Sequence, residues 1–224
     1  MAARRIVLWD IDHTLVDTRG VGRELSAIAF ERATGRRMER QAKIDGITEP
    51  VIFRETAKLH GLQTDRSDFE RFAAALADVH VQRIADLRER GHALPGAAAA
   101  LDAVAALPGY EQSVVSGNVR SVAEIKLATF GLDRHIKWAL GAYGEDADER
   151  ADLVRIALAR AKVSPEDALV LDDTPAGVEA GLVAGVQVVA VATGRSSADD
   201  LYDAGALTVL PDLTDTARVI SSLA

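Results

Sequence analysis

Short apolar runs, many of them β-branched, punctuate the chain at residues 4–9, 111–115, 136–140, 168–171, 186–192 and 207–210. Several are apolar on consecutive positions, as in "IVLW" (6–9) and, after Gln187, "VVAVA" (188–192), which is how a strand buried on both faces reads. Between the runs, apolar positions recur at helical spacing over 97–107, 120–130, 149–161, 176–184, 198–204 and 214–223. Strands alternating with helices of this length predict βα units. The expected fold is therefore α/β, a doubly wound, mostly parallel sheet with helices on both faces.

One region breaks the alternation. From 18 to 91 no convincing strand appears, while "GRELSAIAFERATG", "VIFRETAKLHG" and "FERFAAALADVHVQRIADLRERG" each carry a helical stripe. Three or four amphipathic helices inserted after the first strand would form a small lobe of their own. That leaves 1–17 and 92–224 as the α/β core, with "GHALPGA" (91–97) as the returning hinge.

Composition narrows the classes. A 224-residue chain that is 48% hydrophobic can fill a real core, so disorder is not expected. The formal charge of −8, without a local basic stripe, argues against nucleic acid as a partner. Cysteine is absent, which rules out a disulfide framework or thiolate metal site and fits a reducing cytoplasm. "MAARRIVLWD" lacks the apolar run of a signal peptide. The longest small-apolar stretch, "AAAALDAVAAL", is interrupted by Asp102 and too short to span a bilayer, so no membrane is expected as a partner.

The candidate chemistry lies at strand ends, where parallel α/β sheets bind their ligands. Asp10 and Asp12 close the first strand. "VVSGN" (114–118) closes the next with Ser116, Gly117 and Asn118, and "LVLDDTPAG" (169–177) closes another with Asp172 and Asp173. Four carboxylates in one crevice repel one another unless a cation sits among them, and hard oxygen ligands suit Mg²⁺. A phosphate ester would complete such a shell. Ser116 Oγ and the N–H groups of Gly117 and Asn118, at a helix start, could hold its oxygens. Lys126, further along that helix, could return a positive charge to the crevice.

These residues resemble a known family. "DIDHTL" is similar to the D-x-D-x-T motif of the haloacid-dehalogenase-like hydrolases, "VVSGN" to their Ser/Thr motif and "VLDDTPAGVEAG" to their acidic motif. The order of motifs and the helical insert resemble the phosphoglycolate-phosphatase-like branch, in which the insert is a cap. The resemblance implies a Mg²⁺-dependent phosphatase acting on a small phosphorylated metabolite. Asp10 would be the nucleophile, Asp12 the general acid and base, and Thr14 a brace for the loop. Asp10, the Asp12 carbonyl, Asp173 and nearby Asp172 would hold the metal.

Two departures from the family pattern stand out. Where many relatives carry a Lys-Pro pair, this chain reads "YGEDADERADLV", with neither. Lys126 is the candidate for that charge and Arg150 the reserve, read first as a surface ion-pair partner. Where many relatives place an Asp four residues after the acid of a Gly-Asp pair, this chain has Gly177, and Asp172 takes the glycine's place. His13 reads as a hydrogen-bonded loop residue, and the other four histidines lack metal-ligand spacing. Arg19, Arg23 and Arg54, with the "DGITEP" turn (45–50), are candidates for substrate selection.

Competing readings are a hexose-phosphate mutase with the same two acids, a haloacid dehalogenase, a receiver-type signalling domain and a metabolite-binding module with weak catalysis. The acid at Asp12 and the paired acids at 172 and 173 argue against the dehalogenase. The helical insert argues against the receiver.

Overall fold

The computed structural model describes residues 4–44 and 46–223, so Asp45 of the "DGITEP" turn lies outside the described residues. In chain order the strands are β1 (Arg5–Trp9), β2 (Val16–Asp17), β3 (His92–Ala93), β4 (Tyr110–Val114), β5 (Ala168–Asp172), β6 (Gln187–Val191) and β7 (Thr208–Leu210). Five of them form a wholly parallel sheet in the order β4-β1-β5-β6-β7. The helices are α1 (Val21–Thr34), α2 (Glu49–Leu59), α3 (Arg66–Gln82), α4 (Ile84–Arg90), α5 (Ala97–Ala105), α6 (Arg120–Thr129), α7 (Arg150–Ala161), α8 (Pro175–Val183), α9 (Ala198–Asp203) and α10 (Thr216–Ser221).

The consecutive apolar runs are explained by burial on both faces. On β1, Val7 and Trp9 pack with α5, α6 and the last helix, while Ile6 and Leu8 pack with α7, α8 and α9. Alternation of side chains along a strand sends them to opposite layers. The expected doubly wound α/β fold with an inserted helical lobe is thus the observed one. Among the described residues no helix is long and apolar enough to cross a membrane.

The expectation of a strand at 136–140 fails. Trp138–Leu140 is a single 3₁₀ turn. The segment does touch the edge of β4, with Lys137 N–H donating to Gln112 O at 2.8 Å and Ala142 N–H to Val114 O at 3.0 Å. Between those two bonds the chain loops outward, and Tyr143 Oη donates to Trp138 O at 2.6 Å across the loop. Apolar content alone does not distinguish such an edge loop from a strand.

Helices α1 to α4 share a core of their own, in which Phe30, Phe53, Phe69 and Phe72 are buried and Phe53 stacks on Phe72 at 4.7 Å. Val119 and Val122, from the start of α6, enter the same cluster and tie the lobe to the sheet domain. Both connections to the lobe pass through one antiparallel ribbon, β2 paired with β3.

Candidate active site

The parity of β1 aims the first two acids. Val7, Trp9 and Ile11 face one apolar layer, so Asp10 and Asp12 emerge on the other side. Asp10 N–H still donates to Leu171 O at 2.9 Å, which fixes Asp10 as one more ladder position beyond the strand. The turn that follows is tight. His13 has φ 64°, its N–H donates to Val16 O at 2.7 Å, and Thr193 Oγ1 donates to its carbonyl at 2.6 Å. A histidine in the left-handed region is uncommon, and here hydrogen bonds to two neighbours, Val16 and Thr193, hold it there.

Asp10 faces a buried cation, and that cation is Arg150. Arg150 stands at the first position of α7 with a side chain only 10% exposed, and its Nη2 donates to Asp10 Oδ1 at 3.1 Å. The same nitrogen bonds Asp172 Oδ2. Its sequence reading as a surface ion-pair partner is therefore wrong. The acidic run before it hid a buried arginine: Asp148 and Glu149 are exposed, and it is the Arg150 side chain that turns inward. Asp172 is further held by Thr174, whose N–H and Oγ1 donate to Oδ1 at 2.9 and 2.7 Å.

Lys126 serves the other acid. Its Nζ donates to both oxygens of Asp12 at 2.7 Å and to Asn118 Oδ1 at 2.8 Å. Asn118 Nδ2 donates to Asp12 Oδ2 at 2.7 Å and to Ser116 Oγ at 2.8 Å. Burial pushes the Asp12 carboxyl upward, but the Lys126 charge and the bonds from Asn118 and Lys126 outweigh it and hold the carboxyl below its ordinary value. Of the expected phosphate donors, Asn118 is thus already engaged. Its backbone N–H donates to Ser116 Oγ at 3.2 Å.

Asp173 completes the crevice from the end of β5. Thr14 Oγ1 donates to its Oδ1 at 3.1 Å, and both residues are buried. Asp10, Asp172 and Asp173 each offer an oxygen within 4.8 Å of the others. Burial first, and then the charge of Asp172, pushes Asp10 up to about 8 and Asp173 up to about 9. Arg150 offsets only part of this for Asp10. Three crowded oxygen donors with more negative charge than one arginine can balance are a donor set suited to a hard divalent cation. The Asp12 carboxylate stays outside the cluster, turned toward Lys126.

Two glycines make room for these acids. A Cβ at Gly194 would lie 1.8 Å from Asp173 Oδ2, and one at Gly177 would lie 1.9 Å from Asp172 Cγ. Position 177 is bare because the Asp172 carboxyl fills its space, which is the physical meaning of the second sequence departure. Gly194→Ala is therefore expected to displace the Asp173 carboxylate and weaken divalent-cation binding roughly 10- to 100-fold. Titration calorimetry checks this, and an unchanged affinity would contradict it.

A cavity of about 750 Å³ opens between this crevice and the helical lobe. Asp10, Asp12, Ser116, Gly117, Lys126 and Asp173 line its floor. Arg19 and Arg23 line its lobe side, whereas Arg54 turns away to pair with Asp148 at 3.0 Å. Glu49 and His80 also line the cavity, and sequence reasoning passed over both. The available signal for His80 was its place on the stripe with Phe72 and Leu76, where a polar side chain is unusual.

A family model described as "Haloacid dehalogenase-like hydrolase" matches residues 7–191. No curated protein sequence matches the chain. Among solved structures, a hydrolase from Pseudomonas syringae superposes with TM-score 0.71 at 20% identity, covering 99% of this chain and 100% of that one. A predicted phosphoglycolate phosphatase from Haemophilus somnus does so with TM-score 0.66 at 17% identity, covering 98% and 99%. A variant of CbbY from Rhodobacter sphaeroides, in complex with xylulose-(1,5)bisphosphate, does so with TM-score 0.67 at 19% identity, covering 95% and 96%. At these identities the structural likeness speaks for the fold.

Proposed function

This chain belongs to the haloacid dehalogenase-like hydrolases, and we propose that within them it is a Mg²⁺-dependent phosphatase of a small phosphorylated metabolite, working through an aspartyl-phosphate on Asp10. The observation that carries this reading is the pair of acids two residues apart on one cavity floor, each with its own cation: Asp10 with Arg150, Asp12 with Lys126. The helical lobe, 18–91, is the cap over a core of 1–17 and 92–224.

In the first step an Asp10 carboxylate oxygen attacks phosphorus and the ester P–O bond breaks. The departing oxygen takes a proton from Asp12. Lys126 keeps Asp12 ionised in the resting site; the arriving phosphate dianion, a like charge, raises its proton affinity, and Asp12 takes up from solvent the proton that it then donates. In the second step Asp12 takes a proton from water, the water oxygen attacks phosphorus, and the bond to Asp10 breaks. Inorganic phosphate is released and the Asp10 carboxylate regenerated, and Asp12 gives up its proton to solvent to return to its resting, ionised form. Arg150 orients Asp10, Ser116 and Gly117 stand where phosphate oxygens would arrive, and the cap excludes bulk water. Mg²⁺ would be held by Asp10, Asp173, the Asp12 carbonyl and, directly or through water, Asp172. When bound it screens the charge between nucleophile and phosphate.

The test is phosphate release from an aryl phosphate and from two- and three-carbon and sugar phosphates, with Mg²⁺ and with chelator. Turnover that falls at least about 100-fold with chelator supports the reading. Turnover indifferent to chelator, or isomerised sugar phosphate without free phosphate, replaces it with a metal-free enzyme or a mutase.

The same acids set a stability signature. Asp10 and Asp173 lie above the ordinary value of 3.8, so their contribution to metal-free stability is complete below about pH 4. It is lost as pH rises toward 8 and 9. Mg²⁺ at about 100 times its Kd should add about 2.7 kcal/mol, or roughly 5–11 °C in Tm. At one fixed Mg²⁺ concentration the gain should grow from pH 6 to pH 9, as Kd falls with ionisation of Asp10 and Asp173. A gain that is flat or shrinks with pH in thermal-shift measurements would contradict the cluster as the metal site.

A further inference from the structure

One carboxyl in the cavity has no part in either step of the reaction. Glu49 opens α2 on the lobe side and lines the cavity, and its carboxyl has no hydrogen-bond partner among the described residues. Its backbone is pinned to the core. Its N–H donates to Gly117 O at 2.9 Å, and a Cβ at Gly117 would lie 2.4 Å from Ile47 O. The turn that carries Glu49 therefore rests on Gly117, beside the expected place of the phosphate.

The charges acting on the Glu49 carboxyl are those of Lys126 and Asp12, so it faces the floor near the general acid. Lys126 cannot pair with it, since the three Nζ protons already go to Asp12 and Asn118. Nor is the carboxyl sealed in. Glu49 is half-buried, and among the described residues the one unpartnered side-chain nitrogen or oxygen closed off from solvent belongs to His80. The Glu49 oxygens thus open on the cavity.

Burial, against the pull of Lys126, pushes this carboxyl up to about 7. What it lacks is a donor, and the group that arrives beside Asp12 is the leaving group of the ester. A hydroxyl suits Glu49 in either state, donating to the carboxylate or to the carbonyl oxygen of the acid. An ammonium would stand near Lys126, a like charge, and an alkyl chain would leave the oxygens without a partner.

We propose that the Glu49 carboxyl is a specificity contact which accepts a hydrogen bond from a hydroxyl on the leaving group, so that the substrate is the phosphate of a polyol or sugar. This rests on the phosphatase reading and refines it. A site built around such a bond discriminates strongly against the deoxy analogue, which leaves the carboxyl desolvated and unpaired.

The experiment measures kcat/KM for three pairs: 2-hydroxyethyl with ethyl phosphate, glycerol 3-phosphate with n-propyl phosphate, and ribitol 5-phosphate with n-pentyl phosphate. 2-Aminoethyl phosphate carries the ammonium, and an aryl phosphate serves as the general substrate. Wild-type protein should prefer the hydroxylated member of at least one pair by about 10-fold or more. Glu49→Leu should bring that ratio to within about twofold of unity, and Glu49→Gln, whose Oε1 still accepts, should keep most of it. Each ratio is taken within one variant, so a general loss of activity cancels, and Glu49→Ala replaces a leucine variant that does not fold. Calorimetric binding of the same pairs to Asp10→Asn protein, with and without Glu49→Leu, should show the same change without turnover. A wild-type ratio near unity in every pair, or a preference that Glu49→Leu leaves intact, overturns the inference. So does a preference for 2-aminoethyl over 2-hydroxyethyl phosphate that Glu49→Gln abolishes, which would assign the carboxylate to a cation. Absence of turnover on every ester, the aryl phosphate included, overturns the phosphatase reading instead, and the binding comparison then decides the contact.

Discussion

Asp10→Asn is expected to lower phosphatase turnover by about 10⁴-fold or more, because the neutral amide oxygen lacks the carboxylate's charge and is a far weaker nucleophile toward phosphorus. The same exchange should raise the stability of the metal-free protein. Asp10 is buried beside Asp172 and Asp173, and its ionised form is disfavoured enough to push it up to about 8. An isosteric neutral side chain removes that repulsion, with an expected gain of about 1 kcal/mol, or roughly 2–4 °C in Tm at pH 8. Opposite signs for activity and Tm separate lost chemistry from lost fold. Residual turnover above about 1% of wild type would remove Asp10 from the nucleophile's role.

Arg150→Met should act the other way on stability. The guanidinium bonds both Asp10 and Asp172, and all three side chains are at most 10% exposed. Removing one member of a buried ionic cluster leaves the others uncompensated, at a typical cost of about 3–5 kcal/mol. In a chain of this length, a loss of about 3 kcal/mol corresponds to roughly 6–12 °C in Tm. The loss should be smaller below about pH 8, where Asp10 takes up its proton, and smaller with Mg²⁺ present. A Tm within about 2 °C of wild type at pH 8 would show that solvent already balances these charges.

The strand ends were legible because burial on both faces writes a continuous apolar run, and an acid that ends such a run has no packing reason to be there. That pattern alone puts Asp10, Asp12, Ser116, Asp172 and Asp173 at strand ends. The segment 136–140 misled for the same reason: an apolar edge loop has the composition of a strand and differs only in backbone pairing. Arg150 was obscured by its neighbours in "EDADERAD", since local charge tells nothing about which side chain turns inward. Lys126 is buried on the face of α6 that also carries Val122, Ala123 and Leu127, although the sequence pointed to it only through its place on the helix after "VVSGN". Spacing with Phe72 and Leu76 marked His80 as an inward-facing polar side chain, but that its Nε2 is left unpaired shows only after folding.

The lobe meets the core through a small set of bonds. Glu49 N–H donates to Gly117 O at 2.9 Å, and Thr48 Oγ1 donates to Asp148 O at 2.9 Å. The covalent path between the two parts runs only through the β2–β3 ribbon. The Glu49 amide can then exchange its proton with solvent only when the lobe swings clear of Gly117. Its deuterium uptake becomes a clock for opening, ticking independently of the chemistry below. Slow uptake that quickens with a bulky β2–β3 substitution would mark departure of free phosphate, rather than bond cleavage, as the step that sets the pace.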